Sequence, residues 1–100
     1  MKKILLCCAA GMSTSLLVKK IKEAAEAEGY ECEVSAEPFA IGSPNFVKSD
    51  CVLLGPQVRF NLKNLQERYP EIPSDVIDMR AYGMCDGKKI LAQAKQLLGE

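Results

Sequence analysis

A thiol followed by small and hydroxyl residues holds most of the chemical promise of this sequence: Cys8-Ala9-Ala10-Gly11-Met12-Ser13-Thr14-Ser15. Lys3-Ile4-Leu5-Leu6-Cys7 before it is apolar and has the length of a buried strand. Leu16-Leu17-Val18-Lys19-Lys20-Ile21-Lys22 after it begins an amphipathic helix. A strand-to-helix turn aims several backbone N–H groups, and the positive end of the helix dipole, at one point. An anion suits that point, and a thiolate at its edge is a nucleophile. These residue types point to Cys8 as the carrier of a phosphoryl group. The backbone N–H groups of Ala9, Ala10, Gly11, Met12, Ser13, Thr14 and Ser15 are expected to cradle its oxygens and to lower the thiol pKa. The hydroxyls of Ser13, Thr14 and Ser15 serve either as further donors or as helix caps. Gly11 supplies a backbone angle that other residues resist. Met12 is an apolar loop tip, either a docking contact or folded inward.

Composition narrows the chemistry. The chain has five cysteines and no histidine, so Cys-His and Ser-His dyads and histidine metal ligands are ruled out. No metal and no cofactor is expected. The odd, irregularly spaced cysteines do not form a disulfide framework. A Cys7–Cys8 disulfide between adjacent residues would be strained. Cys7, Cys32, Cys51 and Cys85 read as small buried hydrophobes. Acidic and basic residues balance at 13 each, which gives no electrostatic drive toward nucleic acid or an anionic membrane. Lys2-Lys3 with a few apolar residues is too short for a signal peptide, and no run reaches transmembrane length. A reducing cytoplasm is the expected home.

One hundred residues bound a single domain, residues 1–100. The elements that must position Cys8 follow from pattern. A strand spans Lys3 to Cys7, and a helix starts near Ser13 or Thr14 with Leu17, Ile21 and Ala24 or Ala25 on one face and Gly29 at its C′ position. Glu31 to Ala36 alternates as a strand near a sheet edge does. Pro38 to Ser49 is a loop with at most one helical turn. Asp50 to Leu54 is an apolar, central strand closed by Gly55-Pro56. Val58, Leu62, Leu65 and Tyr69 form one helical stripe, stopped by Pro70. Ser74 to Asp78 is a fourth strand, Met79 to Gly87 is a loop or helix start, and Ile90, Leu91, Ala94, Leu97 and Leu98 bury the last helix. The alternation implies an α/β domain: a four-stranded parallel sheet with helices on both faces, in three layers.

In such a sheet the site lies at the carboxyl ends of the strands. Loops after Cys7, after Leu54 and after Asp78 converge there. Gln57 and Tyr82 sit in the two neighbouring loops and could reach a phosphate or a partner. Asp78 invites a general-acid reading, but a structural hydrogen bond is the stronger expectation. The stretch from Cys8 to Ser15 matches neither G-x-G-x-x-G nor the P-loop, and it holds no arginine. Phosphatase loops use an arginine to clamp the transition state. Its absence favours storing a phosphoryl group over hydrolysing it. A small cysteine-dependent phosphatase is the alternative. A thiol redox or arsenate-reducing protein is a third reading, without a C-x-x-C motif to support it.

Cys-x-x-Gly-Met-Ser-Thr-Ser after the first strand, with Leu53-Leu54-Gly55-Pro56-Gln57 after a central strand, resembles the IIB subunits of the lactose/cellobiose (N,N′-diacetylchitobiose) family. These belong to the bacterial phosphoenolpyruvate-dependent sugar phosphotransferase system. Val76-Ile77-Asp78, Tyr82-Gly83 and Asp86-Gly87 extend the resemblance across nearly the whole chain. It implies a fold similar to low-molecular-weight tyrosine phosphatases, and a phosphocysteine at Cys8. It implies a phosphohistidine donor on a IIA protein, and an acceptor sugar, a β-linked disaccharide, bound by a membrane IIC permease. A cytoplasmic monomer, transiently at the inner membrane face through IIC, is expected.

Overall fold

The computed structural model describes residues 1–9 and 14–100. Strand β1 (Lys2–Cys8) leads to helix α1 (Thr14–Glu28), then β2 (Cys32–Pro38) and β3 (Cys51–Leu54). A 3₁₀ helix (Pro56–Asn61) and α2 (Leu62–Arg68) follow, then β4 (Ser74–Val76), α3 (Met79–Gly83) and α4 (Gly87–Leu97). All strand pairs are parallel, in the order β2-β1-β3-β4. This is the expected four-stranded sheet, with β2 at an edge and β3 inside.

Alternation along the strands sorts the core into two layers. Ile4 and Leu6 of β1, with Cys51 and Leu53 of β3, pack under α1 and α4 against Leu17, Ile21, Ile90, Leu91 and Ala94. Leu5, Cys7, Val52 and Leu54 face the other way, onto Leu65 of α2 and Phe46. Phe46 belongs to the segment between β2 and β3, where alternation gave no structure. That segment is a chain of tight turns, with Ser43 N–H to Ala40 O, Phe46 N–H to Ser43 O and Ser49 N–H to Phe46 O. It seats a wholly buried Phe46 ring between Phe39 and Tyr69, at centroid distances of 5.9 and 5.2 Å.

Several boundaries differ from the pattern, each for a local reason. The stripe from Val58 to Tyr69 is broken, because Pro56 starts a 3₁₀ helix and Val58 is non-helical at φ −115°, ψ 20°. Pro70 then forces Tyr69 out of the α region, to φ −126°, ψ 64°, and α2 stops at Arg68. Strand β4 ends at Val76 rather than Asp78, since the Asp78 carboxylate leaves the sheet to cap α3 by accepting from Ala81 N–H at 3.0 Å. The structural reading of Asp78 is therefore the one observed. Gly29 ends α1 at φ 70°, and Tyr30 N–H returns to Ala25 O at 2.9 Å.

Candidate functional site

Strand β1 carries the thiol to the carboxyl edge of the sheet. Cys8 is the last residue of the strand rather than the first of the turn: it pairs with Pro38, and its carbonyl accepts from Phe39 N–H at 3.0 Å. Pairing on both sides of β1 fixes the position of Cys8, and Gly55 N–H reaches the Cys7 carbonyl at 2.7 Å. Next door Ile77 N–H reaches the Leu54 carbonyl at 2.8 Å. These bonds draw the ends of β1, β3 and β4 together, as the topology required. The site sits where the chain departs from β1 to opposite sides, toward β2 and toward β3.

Gly55 is the tightest point. A Cβ there would lie 3.0 Å from the Cys8 Sγ and 2.9 Å from the Gln57 Oε1. Any side chain there would push the Cys8 sulfur or the Gln57 carboxamide aside. Tyr82, on α3, completes the group: its side chain interacts with Cys8 on one side and Gln57 on the other. Sequence reasoning named Gln57 and Tyr82 as neighbouring-loop candidates, and both are at the thiol. It missed Gly55 as a contact, though Gly-Pro after an apolar strand was the available signal.

The placement of Tyr82 depends on Gln93, which pattern reading also missed. The Gln93 Nε2 donates to the Val76 carbonyl at 2.7 Å, and its Oε1 accepts from Asp78 N–H at 3.1 Å. One carboxamide of α4 thus stands in for a strand partner just past β4, and holds the start of α3. Gly87 locks the other end, where an added Cβ would lie 2.2 Å from the Lys20 carbonyl of α1.

The electrostatics differ from the expectation of a lowered thiol pKa. Burial raises the Cys8 pKa, while Tyr82 and the Gly55 backbone pull it back down. No cationic side chain is among the groups that shift it, among the described residues. Burial also raises the Tyr82 phenol, with the neighbouring Cys8 adding to the rise. Cys7 is different: it points to the α2 layer and burial pushes it up to about 12, followed by the charge of Glu37. Cys51 is buried in the α1/α4 layer and also stands at about 12. Cys32 and Cys85 are half-buried, and Cys85 has a positive φ of 52°. All five thiols are free.

Of the residues expected to wrap the phosphate, Ala9 follows Cys8, Thr14 opens α1 and Ser15 is exposed on its first turn. Ala10, Gly11, Met12 and Ser13 lie outside the described residues. No metal-ligating cluster occurs among the described residues. No helix is long and apolar enough to cross a membrane among them.

Comparison with known proteins fits this geometry. The family model of the lactose/cellobiose-specific IIB subunit of the sugar phosphotransferase system matches residues 3–93. The chain belongs to the lactose/cellobiose-specific IIB family. An oligo-β-mannoside-specific EIIB component of Bacillus subtilis is 49% identical over 100 residues, covering 98% of this chain and 97% of the relative. A galactose-specific EIIB component of Lactococcus lactis is 46% identical over 108 residues, with 97% and 96% covered. The solution structure of a cellobiose-specific IIB component from Borrelia burgdorferi superimposes with a TM-score of 0.79 at 38% identity, covering 98% of this chain and 92% of that one. A lactose-specific IIB domain from Streptococcus pneumoniae shares the fold alone, at TM-score 0.83 and 18% identity over 95% of each chain. As a IIB subunit the protein is a phosphotransferase component of sugar uptake, a role that implies IIA and IIC partners.

Proposed function

We propose that Cys8 is the residue that is loaded, taking a phosphoryl group from the phosphohistidine of a IIA protein and giving it to a sugar held by a membrane IIC permease. The observation that carries this reading is the knot at Gly55, where one thiol is held against two polar side chains at the carboxyl edge of the sheet. In the first step the Cys8 sulfur forms an S–P bond as the N–P bond of phosphohistidine breaks. The electron pair of that bond returns to the imidazole nitrogen. A buried thiol with a raised pKa arrives protonated at neutral pH, and its proton goes to the departing imidazole. Tyr82 stands beside the sulfur and holds it in place as this proton leaves. In the second step a sugar hydroxyl oxygen attacks phosphorus, the S–P bond breaks, and the thiol is restored with the hydroxyl proton.

The backbone N–H groups from Ala9 to Ser15 would bind the phosphoryl oxygens, with the amino end of α1 behind them. Among the described residues no cation is among the groups that shift Cys8, and the sequence from Cys8 to Ser15 holds none, which supports a carrier rather than a phosphatase. Relatives of similar identity are named for oligo-β-mannosides, galactose and cellobiose. A β-linked disaccharide is the substrate class proposed here, with its identity chosen chiefly by the permease. The domain spans residues 1–100 and works as a monomer in the cytoplasm.

Radiolabelled phosphoenolpyruvate, the general transfer proteins and the phosphorylated IIA protein of the same system provide the test. The wild-type chain takes up label that iodine releases, and the label chases onto sugar when membranes carrying the IIC permease are added. Label that persists in Cys8→Ser would overturn the assignment.

A further inference from the structure

The two elements that bring Gln57 and Tyr82 to the thiol also carry apolar side chains outward. The 3₁₀ helix packs against the ends of β1 and β3. Gln57 reaches Tyr82 from this helix, and Phe60, three residues on, is 77% exposed. On α3, Ala81 is buried and Tyr82 faces Cys8, while Met79, its first residue, and Met84, just past its end, are 64% and 70% exposed. Met79 stands one helical turn before Tyr82, so it is a surface neighbour of the residue that touches the sulfur. Burying Ala81 and Tyr82 turns the rest of this short helix toward water. Each apolar group has an arginine beside it. The Arg59 guanidinium stacks on the Phe60 ring at 4.5 Å from its centroid and donates to the Pro56 carbonyl at 2.9 Å. Arg80 follows Met79 and is exposed. The other large exposed apolar side chains among the described residues are Met1, Leu16 and Val47.

Phe60 follows Gln57 by three residues and Met79 precedes Tyr82 by three, so both flank the Gln57–Tyr82 contact. Exposed aromatic, methionine and arginine side chains are the composition of a binding surface. Methionine adapts to unlike partner shapes. Charge identifies the visitor. A phosphohistidine donor brings about two negative charges to the thiol, and the sequence from Cys8 to Ser15 contains no cation to attract them. Arg59 and Arg80 supply that attraction from the rim. The sugar that later accepts the phosphate is neutral and has no such need.

We infer that Phe60, Met79 and Met84, flanked by Arg59 and Arg80, form the docking surface for the phosphohistidine-bearing IIA protein. This rests on the carrier role proposed above and adds the face by which the donor is received. Apolar side chains supply contact area and lifetime, and the arginines supply steering and orientation. A relay needs a transient complex of modest area.

The test titrates the ¹⁵N-labelled chain with the unphosphorylated IIA protein of the same system, and then measures how Cys8 labelling depends on the concentration of phosphorylated IIA. Resonances of the 3₁₀ helix and α3 shift on titration, and those around Met1 and Val47 do not. Phe60→Ala, and Met79→Ala with Met84→Ala, each raise the half-saturating donor concentration about tenfold, as loss of an interface anchor does. Arg59→Gln with Arg80→Gln lowers the labelling rate and weakens its salt dependence. Val47→Ala, at an equally exposed apolar residue between β2 and β3, leaves both unchanged. Rim variants that titrate and label like wild type would overturn the docking surface while leaving the carrier role intact. A wild-type chain that binds IIA at the rim and takes no label would overturn the carrier role and leave the surface standing.

Discussion

Cys7 and Cys8 are neighbours in one strand, and the pleat sends them into different layers. Cys7 enters the α2 layer among Leu5, Leu54 and Phe46, with its thiol pushed up to about 12 by burial and then by the charge of Glu37. Cys8 lies at the carboxyl edge, beside Gly55, Gln57 and Tyr82. Both are almost wholly removed from solvent. Exposure therefore does not separate a structural thiol from a candidate nucleophile here. The neighbours do: one sulfur packs among apolar side chains, and the other meets a phenol and a backbone N–H.

The largest break in this contrast comes from exchanging the thiols. Cys8→Ser abolishes phosphoryl uptake, whereas Cys7→Ser keeps uptake within about twofold and instead costs stability, by about 1–3 kcal/mol, because a hydroxyl is left buried without a partner. Uptake kinetics and urea unfolding on the two variants check this. Gly55→Ala is next. A methyl group 3.0 Å from Sγ forces the sulfur or Gln57 aside. It slows loading by roughly 10²-fold, as small displacements at a reacting centre do, while the fold persists by circular dichroism.

Gln93→Leu sharpens the comparison more gently. It leaves the Val76 carbonyl and Asp78 N–H without their partner, a loss of about 1–3 kcal/mol in unfolding free energy. It loosens α3, so Tyr82 holds Cys8 less well, and the reactivity of Cys8 toward iodoacetamide changes while that of Cys7 does not. Tyr82→Phe removes a group that lowers the Cys8 pKa, so the pH midpoint of Cys8 alkylation moves upward.

A further effect is on stability against alkali. Cys7 and Cys51 rise from the ordinary value of 9.0 to about 12 in the folded chain. Above the unfolded value the unfolded chain binds fewer protons than the native one, so stability falls with pH. Their contribution is whole below pH 9.0 and is lost between 9.0 and about 12. Denaturant midpoints across that range decline in the wild type and decline less steeply in Cys7→Ala with Cys51→Ala, where the raised Cys8, Cys32, Tyr30 and Tyr82 remain.

The fold was legible where local pattern and burial agree. The apolar runs at Ile4 to Cys7 and Cys51 to Leu54, buried on both faces, could only be inner parallel strands. Gly29 and Pro70 ended their helices because their backbones demand it. What escaped was non-local. The burial of Phe46 is set by Phe39 and Tyr69, which lie far apart in sequence, and no periodicity announces it. Gln93 reads as an ordinary helix residue until β4 is seen to end beside it. At the site, Cys8, Gln57 and Tyr82 were visible as residues on three converging loops. The closeness of Gly55 to Sγ and the burial that raises the Cys8 pKa are products of packing and have no signature in spacing.

The most direct test of the contrast between the two thiols is to map the phosphate. The wild-type chain is loaded from phosphoenolpyruvate through the general transfer proteins and IIA, digested at neutral pH, and fragmented by mass spectrometry between residues 7 and 8. One phosphate on Cys8 and none on Cys7 is the predicted result; phosphate on Cys7, on Cys85 or on a hydroxyl of the following turn would contradict it.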